Sequence, residues 1–90
     1  MNYKDRLLKA IPGGAHTYSR GYDQYPENAP QILERADGAY TYDIDGNKYL
    51  DYGMALRAVN LGYANKKDNQ AAIRQIENGN NLTRASIIEL

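Results

Sequence analysis

Cysteine is absent from the 90-residue sequence, as are phenylalanine and tryptophan, and there is a single histidine. Without cysteine there is no disulfide framework and no thiolate metal site, and one histidine leaves any zinc site to be built mostly from carboxylates. No metal ligand set is therefore assigned, and the default compartment is cytoplasmic. There is no excess charge of either sign, since 11 basic residues face 11 acidic ones. That excludes the electrostatic footprint of a nucleic-acid binder and of a basic membrane anchor. No apolar run approaches the ~20 residues of a membrane-spanning helix, and the N-terminus lacks the apolar stretch of a signal peptide. Neither a nucleic acid nor a membrane is an expected partner. A chain this short buries only somewhat over ~60% of its unfolded surface, so a large core is excluded too. All nine aromatic residues are tyrosines, whose hydroxyls need partners or an interface.

The most structured stretch is Asp37 to Tyr52, where two Asp-Gly pairs bracket a run of strand-formers. Asp45-Gly46 has the composition of a two-residue type I′ turn. That turn places Ile44 opposite Asn47, Asp43 opposite Lys48, Tyr42 opposite Tyr49, Thr41 opposite Leu50 and Tyr40 opposite Asp51. Asp37-Gly38 turns a further strand, Gln31 to Ala36, back against the first, with Leu33 beside Tyr42 and Arg35 beside Tyr40. The expected fold class is α+β, a three-stranded antiparallel meander over residues 31–52 flanked by short helices. Before it, Tyr3 to Ala10 reads as an amphipathic helix capped by Asn2 and stopped by Pro12-Gly13-Gly14, which closes a helix-and-cap segment at residue 14. Residues 15–30 show no period and form a loop, as do residues 53–64, which read as a loop lying against other protein. Residues 65–90 are helical, with Ala72, Ile73 and Ile76 on the inner face from Asn65 to Asn78 and Gly79 as the stop. Ser86 to Glu89 has the pattern of a capping box that announces another helix. A helix announced one turn before Leu90 points to a piece cut from a longer chain.

Several residue groups imitate functional motifs. Gly13-Gly14 follows a helix instead of preceding one, so it reads as a helix stop and not as a phosphate loop. Asp43, Asp45 and Asn47 imitate the opening of a calcium loop but lack its closing glutamate, which leaves turn chemistry. His16 stands near Thr17 and Ser19 without an acidic orienter, so no nucleophile and base pair is assigned. Arg20 and Arg57 sit in irregular segments among apolar or aromatic residues, where a guanidinium either pairs with a carboxylate or takes an anionic ligand. No set of residues makes a complete active site, and no catalytic residue is assigned.

Ile11-Pro12-Gly13-Gly14, the polar stretch ending in Arg20, Glu34 to Tyr40, the string Asp43-Ile44-Asp45-Gly46-Asn47-Lys48-Tyr49-Leu50-Asp51-Tyr52, and Leu61-Gly62 together form a recognisable pattern. From about Leu7 to Leu90 it resembles the N-terminal segment of the class-III pyridoxal-phosphate (PLP)-dependent aminotransferases, in their glutamate-1-semialdehyde 2,1-aminomutase-like branch. The resemblance implies an N-terminal fragment of a PLP-transferase fold, in a parent that moves an amino group and pairs as a homodimer. It further implies that Arg20 binds a substrate carboxylate, that Thr17 lies near the same substrate in a substrate-side loop, and that residues 55–60 approach substrate and cofactor. Arg57 departs from the family pattern, and its own chemistry leads us to expect a second anion contact there; Tyr63 stands where relatives carry histidine. The implied partners are a small amino or keto substrate and the remainder of the parent chain. The implied cofactor, PLP, is expected in the full-length parent and not as a covalent adduct of these residues. The rival expectation is a stand-alone, non-catalytic α+β module whose tyrosine-rich sheet binds a partner.

Overall fold

The computed structural model describes residues 2–89. Helix α1 (Tyr3–Ala10) begins where the Asn2 side chain accepts from the Asp5 amide at 2.9 Å, and ends at Ile11, whose extended backbone stops it. Pro12–Gly14 follows as one tight turn, and Gly14 is buried against Leu8 and the Tyr22 ring. Where a loop is expected, Tyr18–Arg20 and Tyr22–Gln24 each form a 3₁₀ turn. The Tyr22 hydroxyl donates to the Gln31 carbonyl at 3.0 Å, and the Lys4 amide donates to the Gln31 side chain at 3.2 Å. These bonds tie the start of α1 and the turns to the entry of the sheet.

The sheet is the expected three-stranded meander, in the order β1 (Leu33–Asp37), β2 (Tyr40–Asp43) and β3 (Lys48–Leu50). Its β2–β3 register corrects the expected one by one residue, since Tyr40 pairs with Leu50, Thr41 with Tyr49 and Tyr42 with Lys48. The connecting loop has three residues, not two. Gly46 donates its amide to the Asp43 carbonyl at 3.1 Å, and the Asp43 amide donates to Asn47 at the same distance. Of the loop residues only Gly46 has a positive φ, +85°. This is a type I turn closed by a left-handed glycine, and the cause is the Asp43 carboxylate. It accepts from the amides of Asp45 and Asn47 at 3.0 and 2.9 Å, from the Asn47 side chain at 2.9 Å and from the Tyr49 hydroxyl at 2.8 Å. The slip removes the Asp43–Lys48 pairing and moves Lys48 over the Tyr40 ring, 3.9 Å from its centroid. Arg35, expected beside Tyr40, stacks on Tyr42 at 3.6 Å.

Residues 53–64 hold more structure than a loop. After Gly53, α2 (Met54–Arg57) is a single turn in which four consecutive non-glycine residues have positive φ, between 48° and 76°. It is left-handed. The Arg57 amide donates to the Gly53 carbonyl at 3.1 Å, and the Val59 amide to Met54 at 3.1 Å. Helix α3 (Lys66–Asn78) is capped by the Asn65 side chain, which accepts from the amides of Lys67 and Asp68. Its expected inner residues Ala72, Ile73 and Ile76 are exposed, the two isoleucines by 53% and 62%. The helical character expected through residue 90 stops at Asn78 and returns only as a 3₁₀ turn, Ile87–Glu89, with Ser86 accepting from the Ile88 amide at 3.4 Å. Leu90 lies outside the described residues.

Two compact units result, Met1–Arg35 with Tyr40–Leu50, and Ala36–Ala39 with Asp51–Leu90. Among the described residues no apolar side chain is buried, and the buried polar ones are Thr41 and Asp43.

Candidate functional site

In the first unit, Arg20 and Thr17 are three residues apart across one 3₁₀ turn, whose period of about three residues puts them on the same side. The Arg20 amide donates to the Thr17 carbonyl at 3.1 Å, and its guanidinium Nη1 donates to Thr17 Oγ1 at 3.3 Å. Arg20 is half-buried and Thr17 exposed. The hydroxyl is one partner of the guanidinium, whose planar fork matches a carboxylate in shape. Thr17, but not Arg20, lines an open cleft of about 820 Å³, whose walls also include His16, Tyr18, Tyr22, Tyr25 and Lys4. Lys4 carries its ammonium 5.6 Å from the Tyr22 ring centroid. Burial of the Tyr22 phenol raises its pKa above the ordinary tyrosine value.

The calcium-like string is engaged in its own loop. The four donors gathered on Asp43 come from Asp45, Asn47 and Tyr49, and they occupy both of its oxygens. The Asn47 side-chain hydrogen bond, more than burial opposes, lowers the Asp43 pKa below the usual carboxylate range. The Tyr49 phenol is raised in turn, chiefly by its bond to Asp43.

Arg57 belongs to the second unit, where it is exposed at the end of the left-handed turn α2. The structure thus brings Arg20 and Thr17 together, and sets Arg57 in a different local framework. That framework centres on Asp51. One oxygen, Oδ1, accepts from the amides of Gly53 at 2.8 Å and Met54 at 3.2 Å, and Oδ2 accepts from the Tyr63 hydroxyl. The Tyr63 hydrogen bond is the main reason the Asp51 pKa falls below its ordinary value, against the opposing effect of burial. Tyr63 is itself anchored by paired backbone bonds with Gly38, at 2.8 and 2.9 Å. Gly62, at φ +82°, packs so closely there that an added Cβ would lie 3.1 Å from the Gly38 backbone.

Sequence reasoning passes over the role of Asp51 and the hydroxyl of Tyr63. The available signal was the Asp-x-Gly order of Asp51 and Gly53, an Asx-turn pattern, together with a tyrosine that needs a partner. Nothing signals α2, because Met54, Ala55, Leu56 and Arg57 all disfavour positive φ. At about 1–2 kcal/mol per residue, its left-handed backbone costs about 4–8 kcal/mol in all. That is comparable to the net stability of a small domain, so the turn requires support from its surroundings.

No protein-family model matches the sequence. Among solved structures, the chain is similar to the PLP internal aldimine form of the FumI protein of Sphingopyxis sp. MTA144, with 32% identity and a TM-score of 0.78 over 97% of this chain and 21% of that one. It is also similar to an omega-transaminase from Sphaerobacter thermophilus, with 27% identity and a TM-score of 0.74 over 93% of this chain and 18% of that one. A beta-phenylalanine aminotransferase from Variovorax paradoxus matches in fold, with 24% identity and a TM-score of 0.71 over 93% of this chain and 19% of that one. The chain spans about a fifth of the length of these proteins. Its meander and flanking helices have the fold of an N-terminal fragment of a PLP-dependent transaminase.

Proposed function

We propose that these residues are the substrate-facing N-terminal part of a PLP-dependent aminotransferase or aminomutase of class III, glutamate-1-semialdehyde aminomutase-like, that acts on a carboxylate-bearing amino compound. The observation that carries the PLP-dependent reading is the 32% identity and shared fold over 97% of the chain with a PLP-bearing protein. The Arg20–Thr17 pair supports the carboxylate, because an oriented guanidinium fork grips two carboxylate oxygens at once. Bound PLP supplies the electron sink for chemistry at the amino-bearing carbon. These residues do not fit its covalent attachment, since Lys4, Lys9, Lys48, Lys66 and Lys67 are all exposed and a Schiff-base lysine needs a desolvated pocket. What this chain contributes is therefore binding and orientation: Arg20 holds the carboxylate, Thr17 holds Arg20, and Arg57 adds a second anion contact. The remainder of the parent, a cytoplasmic homodimer, supplies the rest. A tyrosine-rich binding module is less well supported, because the sheet tyrosines are engaged at home. Tyr40 and Tyr42 lie under Lys48 and Arg35, and the Tyr49 hydroxyl is bound to Asp43.

The test compares the isolated 90-residue chain with the intact product of the reading frame that contains it. The expected result is an aldimine absorption band that survives dialysis, with amino transfer from a carboxylate-bearing amine, in the intact protein alone. An intact protein that neither retains PLP nor transfers an amino group removes the enzyme reading. A stable band in the isolated chain would show that one of the five lysines has a desolvated pocket after all.

A further inference from the structure

Asp51 is placed to hold the entrance of the left-handed turn α2. Asp51 Oδ1 accepts from the amides of Gly53 and Met54, at 2.8 and 3.2 Å, which are the residue before the turn and its first residue. Those amides point at a common oxygen only while the chain enters α2 along its present path. The second oxygen accepts from Tyr63, so the carboxylate cannot rotate without breaking that bond. Tyr63 cannot easily follow, because its backbone is doubly paired with Gly38 and Gly62 is packed against the same glycine. A rigid backbone pairing, a phenol, a carboxylate and two amides thus run in series to the turn whose last residue is Arg57. Asp51 is half-buried, which strengthens each of these bonds relative to water.

We infer that Asp51 and Tyr63 are positioning residues that hold α2 left-handed and thereby present Arg57 to an anionic group of the ligand. Left-handed backbone turns a side chain to a different side of the segment from a right-handed turn over the same four residues. Release of the clamp therefore redirects Arg57 without altering its charge. The inference rests on the proposed amino-transfer function for the ligand, an anionic amino or keto compound, and for Arg57 as its anion contact. The holding of the turn stands apart from it.

The experiment uses the intact protein with Tyr63→Phe, Asp51→Asn, the double variant and Arg57→Ala. Amide exchange is read at Arg57 and Val59, whose hydrogens close the turn, and at Asp43 in the β2–β3 hairpin as a reference. Tyr63→Phe is expected to speed exchange at Arg57 and Val59 by about tenfold or more, with Asp43 unchanged. The double variant is expected to add little to the larger single effect, as members of one network do. In kinetics, Tyr63→Phe should reproduce the defect of Arg57→Ala on a doubly anionic substrate and spare a singly charged one. Asp51→Asn keeps an acceptor for the two amides, so it should fall between wild type and Tyr63→Phe. Unchanged exchange at Arg57 and Val59 in both single variants overturns the clamp whatever the activity does. Faster exchange in a protein without amino transfer supports the clamp and refutes only the proposed function. Faster exchange with no selective loss on the doubly anionic substrate overturns the role given to Arg57.

Discussion

The three-residue hairpin loop makes a prediction that a two-residue loop contradicts. In the observed turn only Gly46 needs positive φ, and a Cβ built there meets no atom within 4 Å, so a side chain at this position has room and costs only backbone strain. Gly46→Ala should then cost about 1–2 kcal/mol, the penalty of a left-handed L-residue. Gly46→Val should cost more, because a β-branched side chain resists that conformation, and Gly46→Asn less, because asparagine tolerates it. Asp45 adopts an ordinary φ and gives the turn a hydrogen bond through its backbone amide, to Asp43. Asp45→Ala should therefore change stability by no more than about 0.5 kcal/mol. A type I′ turn demands positive φ at both positions, so there alanine at 45 would also carry a penalty, the loss of the left-handed tolerance of aspartate. Hydrogen exchange of the Asp43 amide, which bonds across the loop to Asn47, reads local opening directly. A penalty of about one to two kcal/mol appears as roughly 5–30-fold faster exchange. Equal acceleration by Asp45→Ala and Gly46→Ala, or equal effects of valine and asparagine at 46, would refute the assignment.

Gly62→Ala combines a left-handed φ with a Cβ 3.1 Å from the Gly38 backbone, so it should cost about 2–4 kcal/mol and release the Gly38 and Tyr63 amides to exchange while the Asp43 hairpin is unaffected. Asp43 and Asp51 have pKa values depressed by hydrogen bonds to the ionised form, so their contribution is complete above the ordinary carboxylate range, about 4, and is lost as pH falls through the depressed values. Amide protection around each should therefore be flat between about pH 6 and 8 and collapse only in acid, and Asp43→Asn should abolish that acid step for the hairpin alone. In the intact protein Arg20→Lys should keep the charge and lose the fork, lowering kcat/KM for a carboxylate substrate on the order of tenfold to hundredfold, as one charged hydrogen bond of about 1.5–3 kcal/mol implies, with a neutral amine analogue spared. Equal loss on the two substrates would remove Arg20 from the site.

What was legible in the sequence was encoded by neighbours in sequence. Asn2 and Asn65 cap α1 and α3 through amides two or three residues on; α1 begins where the expected Asn2 cap puts it, and α3 begins one residue after its expected start at Asn65. The meander followed from its Asp-Gly turns, but its register did not, because loop length depended on which donors the Asp43 carboxylate would gather. Four donors within six residues favour the three-residue loop, and the composition Asp-Gly suits either turn. The Arg20–Thr17 bond needed a 3₁₀ turn at Tyr18, in a stretch without any period to announce one. The strained turn at Met54 was hidden for a stronger reason. Local preference opposes it at every residue, and the clamp from Asp51 reaches Tyr63, twelve positions away.

The same division explains why so specific a local structure exists without a buried apolar residue among those described. Asn2, Asp43, Asp51 and Asn65 each accept from two or more backbone or side-chain donors, or close a first turn, within their own segments. Such hubs fix backbone direction, but a hydrogen bond that replaces one to water contributes only about 0.5–1.5 kcal/mol. Apolar burial stabilises a folded chain more, at about 25 cal/mol per Å² removed from water. Here it is withheld: Ile73 and Ile76 line one side of α3 in the open. Conformation and burial are therefore carried by different residues. Substitution at Asp51 or Asp43 alters how a side chain is presented, while substitution of Ile73 or Ile76 alters only what the segment can be covered by.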